Sequence, residues 1–265
     1  MVWTTWPTAA RQQHGRYTTR GFPMPRAPRS KPAIRERVWS LLAERGAARF
    51  PGAIGRIPNF IGAEAAARRL ADSPAWGAAH VVKCNPDAPQ LPLRVLALRH
   101  GKRLFMAVPR LRRERCFLEL DPRRLAGRER AAASIGGAAL FGRPTLPKDM
   151  PRIDLIVAGS VAVDRTGGRV GKGGGFSDIE FALLTALGLV GGWTTVATTV
   201  HPLQVVRAPI TMLPHDIPLD LIATRDEVIA CPRRHERPAG ILWSALPEEK
   251  IAGIPALARL ARTRR

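Results

Sequence analysis

Apolar side chains first recur with a helical period just after residue 30. The recurring positions are Ile34, Val38, Leu41 and Leu42. Ser30 is a residue type that caps helices and Pro32 fits a first helical turn, so the pattern predicts a helix from Ser30 to about Ala47. A second, shorter helix is predicted over residues 63–71, where alanine and leucine dominate.

The pattern then changes to short runs of apolar and β-branched residues bounded by Pro, Gly or Asn, which predict strands. The predicted strands cover residues 80–84, 94–98, 103–108, 153–158, 194–200, 204–206, 219–224 and 228–231. A further helix is predicted over residues 125–133. The run at 153–158 is apolar apart from Asp154, which indicates burial on both faces of a sheet. We therefore predict an α/β layered sandwich, in which helices flank a mostly parallel central sheet.

The first 29 residues carry no hydrophobic period and are rich in Pro, Thr, Gln and Arg. We expect a disordered basic tail over residues 1–29 and an α/β domain over residues 30–262. An Arg-rich start without acidic residues resembles an organelle transit segment. The alternative is that translation begins at Met24 and that the preceding residues are not part of the protein.

The balance of charge indicates a polyanionic partner. Lys and Arg number 42 against 21 Asp and Glu, which gives a formal net charge of +21 over 265 residues. A basic block begins at residues 110–115 and continues through Arg123, Arg124, Arg128 and Arg130. Such a block is either a solvated face or a docking surface for a polyanion.

Membrane insertion and disulfide bonding are not expected. The longest apolar stretches, near residues 153–163 and 181–190, are far shorter than the roughly 20 residues that a bilayer requires. The three cysteines, Cys84, Cys116 and Cys231, lie far apart and form no Cys-x-x-Cys pair. We therefore expect a protein of the reducing cytoplasm, without a membrane partner.

The most informative segment is a glycine-rich stretch at residues 169–175. We call residues 171–175 the glycine loop: Gly171, Gly173, Gly174 and Gly175 surround Lys172, and Arg169 precedes them. A backbone of this composition can curl tightly and present bare amides, supported by two cations, to an anion such as phosphate. The alternative is a plain glycine-rich turn between a strand and a helix.

The residues after the glycine loop predict a helix. Ser177 and Glu180 have the spacing of a capping box, and Ile179, Leu183 and Leu187 follow at helical spacing. The positive end of that helix would face the same pocket as the glycine loop, as at many nucleotide sites. The segment matches neither the Walker loop nor the dinucleotide-binding fingerprint, because the required glycines and the Ser or Thr after Lys172 are missing.

The order of motifs resembles one enzyme family. The motifs are Lys31 with Arg35, residues 56–62 (RIPNFIG), 82–90 (VKCNPDAPQ), 101–102 (GK), 108–111 (VPRL), 154–163 (DLIVAGSVAV), the glycine loop, 199–204 (TVHPLQ) and 215–220 (HDIPLD). Together, over residues 31–260, they resemble the 5-formyltetrahydrofolate cyclo-ligase family, also called methenyltetrahydrofolate synthetase. Within that family they are most similar to the branch called methenyltetrahydrofolate synthase domain-containing protein.

The resemblance implies a fold related to sugar-phosphate isomerases and CoA transferases, and a reaction that depends on ATP and magnesium. In that reaction ATP phosphorylates the formyl oxygen of 5-formyltetrahydrofolate. N10 then attacks, phosphate leaves, and 5,10-methenyltetrahydrofolate remains. Such phosphoryl transfer needs positioning and charge neutralisation more than covalent help from the protein.

The matched motifs also imply roles for phosphate contacts. The amides of Gly171, Gly173, Gly174 and Gly175 are expected to bind the phosphates of ATP. Arg169 and Lys172 are expected to offset charge during catalysis, and Lys31 and Arg35 match the family's amino-terminal phosphate contacts. For Lys31 the alternative is a solvated side chain.

For the metal and the folate, the resemblance assigns four further residues. Asp178 matches the family's magnesium-associated aspartate, although a carboxylate at a helix start is favourable without any metal. Phe176 matches an aromatic expected to pack on the folate rings, the alternative being a core position. Gln204 matches a position near the folate pocket, and Asp87 stands where the family usually has Glu.

Two departures from the family pattern keep a second hypothesis open. Characterised members usually carry a tyrosine and an arginine around the aspartate, where this chain has Ser177 and Ile179. In the first hypothesis the chain is the enzyme, and its basic surface attracts ATP and polyglutamylated folates. In the second it is a catalytically divergent nucleotide- or RNA-binding protein on the same scaffold. Against RNA, the basic block lacks interleaved aromatic residues.

Overall fold

The computed structural model describes residues 30–125 and 127–264, so the tail predicted over residues 1–29 lies outside the described residues. Within them the helices are α1 (Lys31–Glu44), α2 (Ala63–Ala71), α3 (Pro74–Ala78), α4 (Leu91–Arg99), α5 (Glu129–Ala132), α6 (Ile135–Phe141), α7 (Phe176–Ala186), α8 (Glu248–Ala252) and α9 (Pro255–Thr263). The strands are β1 (Val81–Cys84), β2 (Arg103–Ala107), β3 (Phe117–Leu120), β4 (Arg143–Thr145), β5 (Leu155–Val157), β6 (Ala162–Asp164), β7 (Arg169–Val170), β8 (Thr195–Thr199), β9 (Val205–Val206), β10 (Leu221–Ala223) and β11 (Val228–Ala230).

An eight-stranded sheet forms the centre, in the order β11-β10-β8-β5-β1-β2-β3-β4. The strands from β10 to β2 run parallel to one another, whereas β11, β3 and β4 pair antiparallel to their neighbours. A small second sheet has the order β7-β6-β9. The prediction of an α/β fold with a mostly parallel central sheet is therefore confirmed.

The position of strand β5 in the sheet explains why its residues are almost wholly apolar. Ile156 packs on one face of the sheet with Phe181 of α7, and Leu155 packs on the other face with Leu93 of α4. All three residues of β5 are buried. Burial of a Leu or Ile side chain contributes about 1.5–3 kcal/mol, so the two faces together anchor the centre of the sheet.

The prediction of a strand at 94–98 is wrong, because these residues belong to helix α4. Strands β1 and β2 pair in parallel, so the chain between them must cross over, and α4 supplies that crossover. Arg94 sits inside the molecule, where its guanidinium donates to the backbone oxygens of Asn85 and Ala133 at 2.7 and 2.8 Å. Because α4 is buried on several sides, its apolar residues do not recur with a helical period in the sequence.

The helix predicted over 125–133 is present only as the short α5. Helices α3, α6, α8 and α9 and strands β6 and β7 were not predicted. Strands β3 and β4 were also missed, because β3 carries a charged residue, Glu119, and β4 contains a proline, Pro144. Proline is tolerated there because β4 is an edge strand. The predicted boundaries of the remaining elements differ from the observed ones by a few residues.

Strand β3 divides the basic block: residues 110–115 lie in a turn before it, and Arg123, Arg124, Arg128 and Arg130 follow it. All eight arginines of the block are exposed. The backbone of the turn is held by the buried Leu111, and Arg110 and Leu111 both have a positive φ. Exposure agrees with a solvated face, and docking of a polyanion stays a prediction.

The three cysteines are buried and free of disulfides, as predicted. Burial raises the pKa of the Cys84 thiol to about 11 and the pKa values of the Cys116 and Cys231 thiols to about 12. The thiols therefore stay protonated and behave as small apolar groups. Across the described part of the chain, no helix combines the length and the apolar character needed to cross a bilayer.

Candidate functional site

A cavity of about 240 Å³ opens where α1, the glycine loop and α7 meet. Its charged wall consists of Lys31, Arg35, Arg169, Asp178, Asp216 and Lys250, together with His215. Its apolar wall consists of Ile179, Ala182, Leu213, Ile241, Leu242, Ala245, Leu246, Pro247 and Leu257. The cavity therefore has one part suited to anions and another suited to an uncharged, ring-sized group.

The glycine loop joins β7 to α7 and requires its glycines. Gly173 has φ +106° and Gly175 has φ +69°, a region that side chains disfavour. The Nε of Arg35 donates to the carbonyl oxygen of Gly171 at 2.6 Å, and the Nζ of Lys250 donates to that of Gly174 at 2.8 Å. Two cations thus fix the loop and place positive charge beside it.

The N-cap of helix α7 lies two residues earlier than predicted, and the predicted capping box is wrong. Gly175 occupies the N-cap position without a side-chain hydrogen bond, so Ser177 lies within the first turn. The hydroxyl of Ser177 accepts a hydrogen bond from the Asn85 amide at 2.7 Å, and Glu180 turns into the core. Both side chains have other partners and cannot cap the helix.

Those partners belong to a buried polar network under the site. The Lys83 ammonium pairs with the Glu180 carboxylate and donates to the Asn85 side-chain oxygen at 2.8 Å. The side chain of Lys83 is 2% exposed and that of Glu180 is 6% exposed. The network fixes the first turn of α7 against strand β1, and so fixes the wall that carries Asp178.

Arg169 links the turn after β5 to the first turn of α7. One of its terminal nitrogens donates to the oxygen of Gly159 at 3.0 Å, and the other contacts the Asp178 carboxylate at 2.5 Å. Its side chain is 3% exposed, and its Nε has no hydrogen-bond partner within the described residues. An unpaired buried donor costs about 1–3 kcal/mol, so Arg169 is held here at some cost in stability.

At the other side of the cavity, Lys31 pairs with the carboxylate of Asp216. Asp216 also accepts the backbone amide of Leu213 at 2.5 Å. Burial lowers the pKa of the Arg35 guanidinium, and the nearby Asp216 carboxylate opposes that shift. Arg35 remains charged at neutral pH, because an arginine titrates far above it.

The structure brings most of the sequence-predicted residues together. Lys31, Arg35, Arg169, Gly171, Gly173, Gly175 and Asp178 line the cavity, and the carbonyl of Gly174 is bound by Lys250. The ring of Phe176 lies under the Lys250 ammonium, 5.2 Å from it, and also packs on the core. Lys172 is half exposed and reaches the Asp87 carboxylate at 3.2 Å.

The predicted residues that do not line the cavity are Asp87, Lys172, Gly174, Phe176 and Gln204. Gln204 is the buried one among them. It is 1% exposed, and its amide nitrogen donates to the backbone oxygens of Ser160 and Val161 at 2.9 and 3.1 Å. Its side-chain oxygen accepts the amide of His201 at 2.7 Å. Through these contacts Gln204 stabilises a turn. The geometry gives no support to its predicted contact with folate.

Sequence reasoning missed Lys83, Asp216 and Lys250 as parts of the site. Lys83 offered a signal, because it is a cation inside an otherwise apolar strand that the fold buries. Asp216 lies in the motif at residues 215–220, but its partner Lys31 is 185 positions away in the sequence. Lys250 offered no local signal.

The carboxylates of the cavity can hold a magnesium ion only together with phosphate ligands. Over residues 30–125 and 127–264, no group of three His, Cys, Asp or Glu side chains forms a metal cluster. Asp178 and Asp216 are the carboxylates that line the cavity. Magnesium commonly binds one or two carboxylates together with substrate phosphates and water, so these two residues suffice.

Comparison with known proteins agrees with this geometry. The model of the 5-formyltetrahydrofolate cyclo-ligase family matches residues 27–225. Methenyltetrahydrofolate synthase domain-containing protein of Mus musculus is 39% identical over 235 residues, which cover 87% of this chain and 63% of the mouse protein. Its Homo sapiens counterpart is 36% identical over 235 residues, covering 87% of this chain and 61% of the human protein. The chain thus spans less than two thirds of the length of these relatives.

Among solved structures, 5,10-methenyltetrahydrofolate synthetase of Aquifex aeolicus is 19% identical with a TM-score of 0.47. The match covers 82% of this chain and 99% of that structure. The family match extends over most of the described residues and includes the glycine loop and the first turn of α7. This chain belongs to the 5-formyltetrahydrofolate cyclo-ligase family.

Proposed function

We propose that this protein converts 5-formyltetrahydrofolate to 5,10-methenyltetrahydrofolate in a reaction that depends on ATP and Mg²⁺. The observation that carries the proposal is the cavity that joins the glycine loop, the start of α7 and the cations Lys31, Arg35 and Arg169. Such a cavity is suited to a triphosphate, because a glycine loop, a helix start and cations line it.

In the proposed reaction, the protein supplies positioning and charge neutralisation. The γ-phosphoryl group passes from ATP to the formyl oxygen, which makes that oxygen a good leaving group; N10 then attacks the formyl carbon and phosphate departs. Arg169 is placed to stabilise charge on the transferred group, because its guanidinium is buried at the cavity and one of its donors has no partner within the described residues. The exposed Lys172 would close over the phosphates from the rim.

The folate is proposed to lie beside the glycine loop, toward Phe176 and Asp87. Lys172 links this side to the loop through its contact with the Asp87 carboxylate. A carboxylate at Asp87 is suited to accept hydrogen bonds from the amino and ring N–H groups of a pterin. The basic surface would attract the glutamate tail of the folate, including its polyglutamylated forms.

Magnesium is proposed to bind at Asp178, with the phosphates as its other ligands. Its chemistry there would be to neutralise negative charge on the phosphates. Asp178 is held for this role by Arg169 and by the amide of Ile217, which donates to the same oxygen at 3.2 Å. The protein is expected to work in the cytoplasm.

One observation favours a second candidate function. Ile179 lines the cavity with an aliphatic side chain at the position where the family usually carries an arginine. Loss of that cation would weaken catalysis while leaving a nucleotide site in place, so the alternative is a divergent nucleotide- or RNA-binding protein. The exposed basic block is the surface that RNA would contact.

A direct assay separates the two candidates. The purified protein is incubated with 5-formyltetrahydrofolate, ATP and Mg²⁺, and the ultraviolet absorbance of the methenyl product is followed. The proposal requires a signal that disappears when ATP or Mg²⁺ is omitted. Absence of any ATP-dependent signal, together with RNA retention that weakens with salt, would favour the binding protein.

Replacing Asp178 with asparagine is expected to reduce the Mg²⁺-dependent rate by about 100-fold or more, and to lower stability by only about 1 kcal/mol. The amide oxygen of asparagine can still accept from Arg169 and Ile217, so much of the structural contact remains. The measurements are initial rates against Mg²⁺ concentration and urea unfolding. Asp149→Asn, at an exposed carboxylate, is the control. A loss of stability as large as the loss of activity, both in kcal/mol, would identify Asp178 as structural.

A further inference from the structure

The cations of the cavity differ in what neutralises them. Lys31 pairs with Asp216, and Arg169 pairs with Asp178. Arg35 and Lys250 instead donate to the carbonyl oxygens of the glycine loop. Within the described residues neither of these two has a carboxylate at ion-pair distance. The net positive charge of the cavity wall therefore comes from Arg35 and Lys250.

Lys250 is the member of this pair that neither the family motifs nor the family match accounts for. The matched region ends at residue 225, and Lys250 lies in α8. Its ammonium lies at the C-terminal end of the glycine loop, 2.8 Å from the Gly174 oxygen and 5.2 Å from the centre of the Phe176 ring. An ammonium carries three donors, and Gly174 uses one of them.

The position of Lys250 is fixed by the core. Helix α9 follows α8 closely, and Ile254 and Leu257 are 2% and 0% exposed. Both pack in the same apolar cluster as Phe181 and Leu184 of α7. The amide of Lys250 also donates to the oxygen of Pro247 at 2.9 Å. Lys250 is thus held on a docked segment rather than on a solvated tail.

The same segment provides most of the apolar wall. The wall residues that lie beyond the matched region are Ile241, Leu242, Ala245, Leu246, Pro247 and Leu257. We call residues 241–257 the C-terminal wall. It lines the cavity together with the glycine loop, so this one segment contributes to both the charged wall and the apolar wall.

We propose that Lys250 is a further nucleotide-binding residue that contacts the triphosphate, and that the C-terminal wall encloses the uncharged part of the same nucleotide. This inference rests on the proposed function, because it requires ATP to occupy the cavity. Lys250 supplies charge that no carboxylate within the described residues neutralises. By binding the Gly174 oxygen, Lys250 also offsets the partial negative charge of that carbonyl, which would otherwise repel the phosphates.

The test compares the full chain with Lys250→Met, Lys250→Arg and the control Lys148→Met, whose lysine is exposed and lies outside the cavity. The dissociation constants of ATP and of inorganic tripolyphosphate are measured by calorimetry. Lys250→Met is expected to weaken both at least tenfold, Lys250→Arg to retain most of the affinity, and Lys148→Met to match the wild type. Thermal unfolding verifies that each variant is folded.

The outcomes are distinct. If the wild type binds ATP and Lys250→Met binds it equally well, the inference is overturned and the proposed function stands. If the wild type binds neither ATP nor tripolyphosphate, both are overturned.

Hydrogen exchange on the wild type gives a second measurement that needs no variant. ATP is expected to slow exchange of the amides in residues 241–252 more than tripolyphosphate does, because only ATP carries the uncharged part that the wall encloses. Equal exchange with and without ATP in this segment would overturn the role of the C-terminal wall.

Discussion

Replacing Lys83 with methionine is expected to lower the free energy of unfolding by about 3–5 kcal/mol. The ammonium of Lys83 is the partner of the Glu180 carboxylate, and both side chains are almost fully buried. Methionine fills the space but leaves a buried carboxylate without its counter-charge, which is the most costly way to break such a pair. The Asn85 side chain also loses a donor at 2.8 Å. Urea unfolding at neutral pH measures the effect.

A double variant tests whether the cost comes from the orphaned charge. Lys83→Met combined with Glu180→Leu removes both charges and is expected to recover most of the loss, since an apolar pair of similar volume can replace a buried ion pair. Lys148→Met is the exposed control and should unfold like the wild type. A cost below 1 kcal/mol for Lys83→Met alone would contradict the buried pair.

Replacing Arg169 with methionine is expected to reduce kcat/KM for the proposed ATP-dependent reaction by about 100- to 1,000-fold. The guanidinium lies at the wall of the cavity and joins Gly159 to Asp178. Arg169→Lys is expected to recover little, because an ammonium cannot make the two contacts of the planar fork. Initial rates of methenyl product formation measure the effect, at ATP concentrations that separate kcat from KM.

Stability must be measured in parallel, because Arg169 is also a buried structural contact. Some loss of stability is expected, and rates are therefore compared at temperatures where each variant is folded. Arg112→Met, in the exposed basic block, serves as the matched control. A folded Arg169→Met variant with wild-type kcat/KM would exclude the role proposed for this residue.

Local signals explain how much of the fold was predictable. Helix α2 has the predicted bounds, because its alanine-rich sequence favours a helix without help from distant residues. Strand β5 was found because a strand buried on both faces is apolar on both faces. Helix α4 was missed for the same reason, since a segment that is buried on several sides loses its period, whether it is a helix or a strand.

The site was predictable only where its chemistry is contiguous. The glycine loop, Arg169 and Asp178 lie within ten residues, so composition and the family resemblance pointed to them together. The predicted capping box was wrong, because Ser177 and Glu180 have partners that are far away in sequence, Asn85 directly after β1 and Lys83 within it. Lys250 lies 76 positions after Gly174 in the sequence, and the docking of α9 on the core brings it to the glycine loop.

The cavity also sets an order of events during folding. Its walls come from both ends of the described chain, with Lys31 on the first helix and Lys250 on the last but one. Contacts of such high sequence separation close late, since the entropy of a very large loop opposes them until the central sheet has formed. During synthesis on a ribosome, the cavity is therefore incomplete until residues 241–257 have emerged and docked on the sheet.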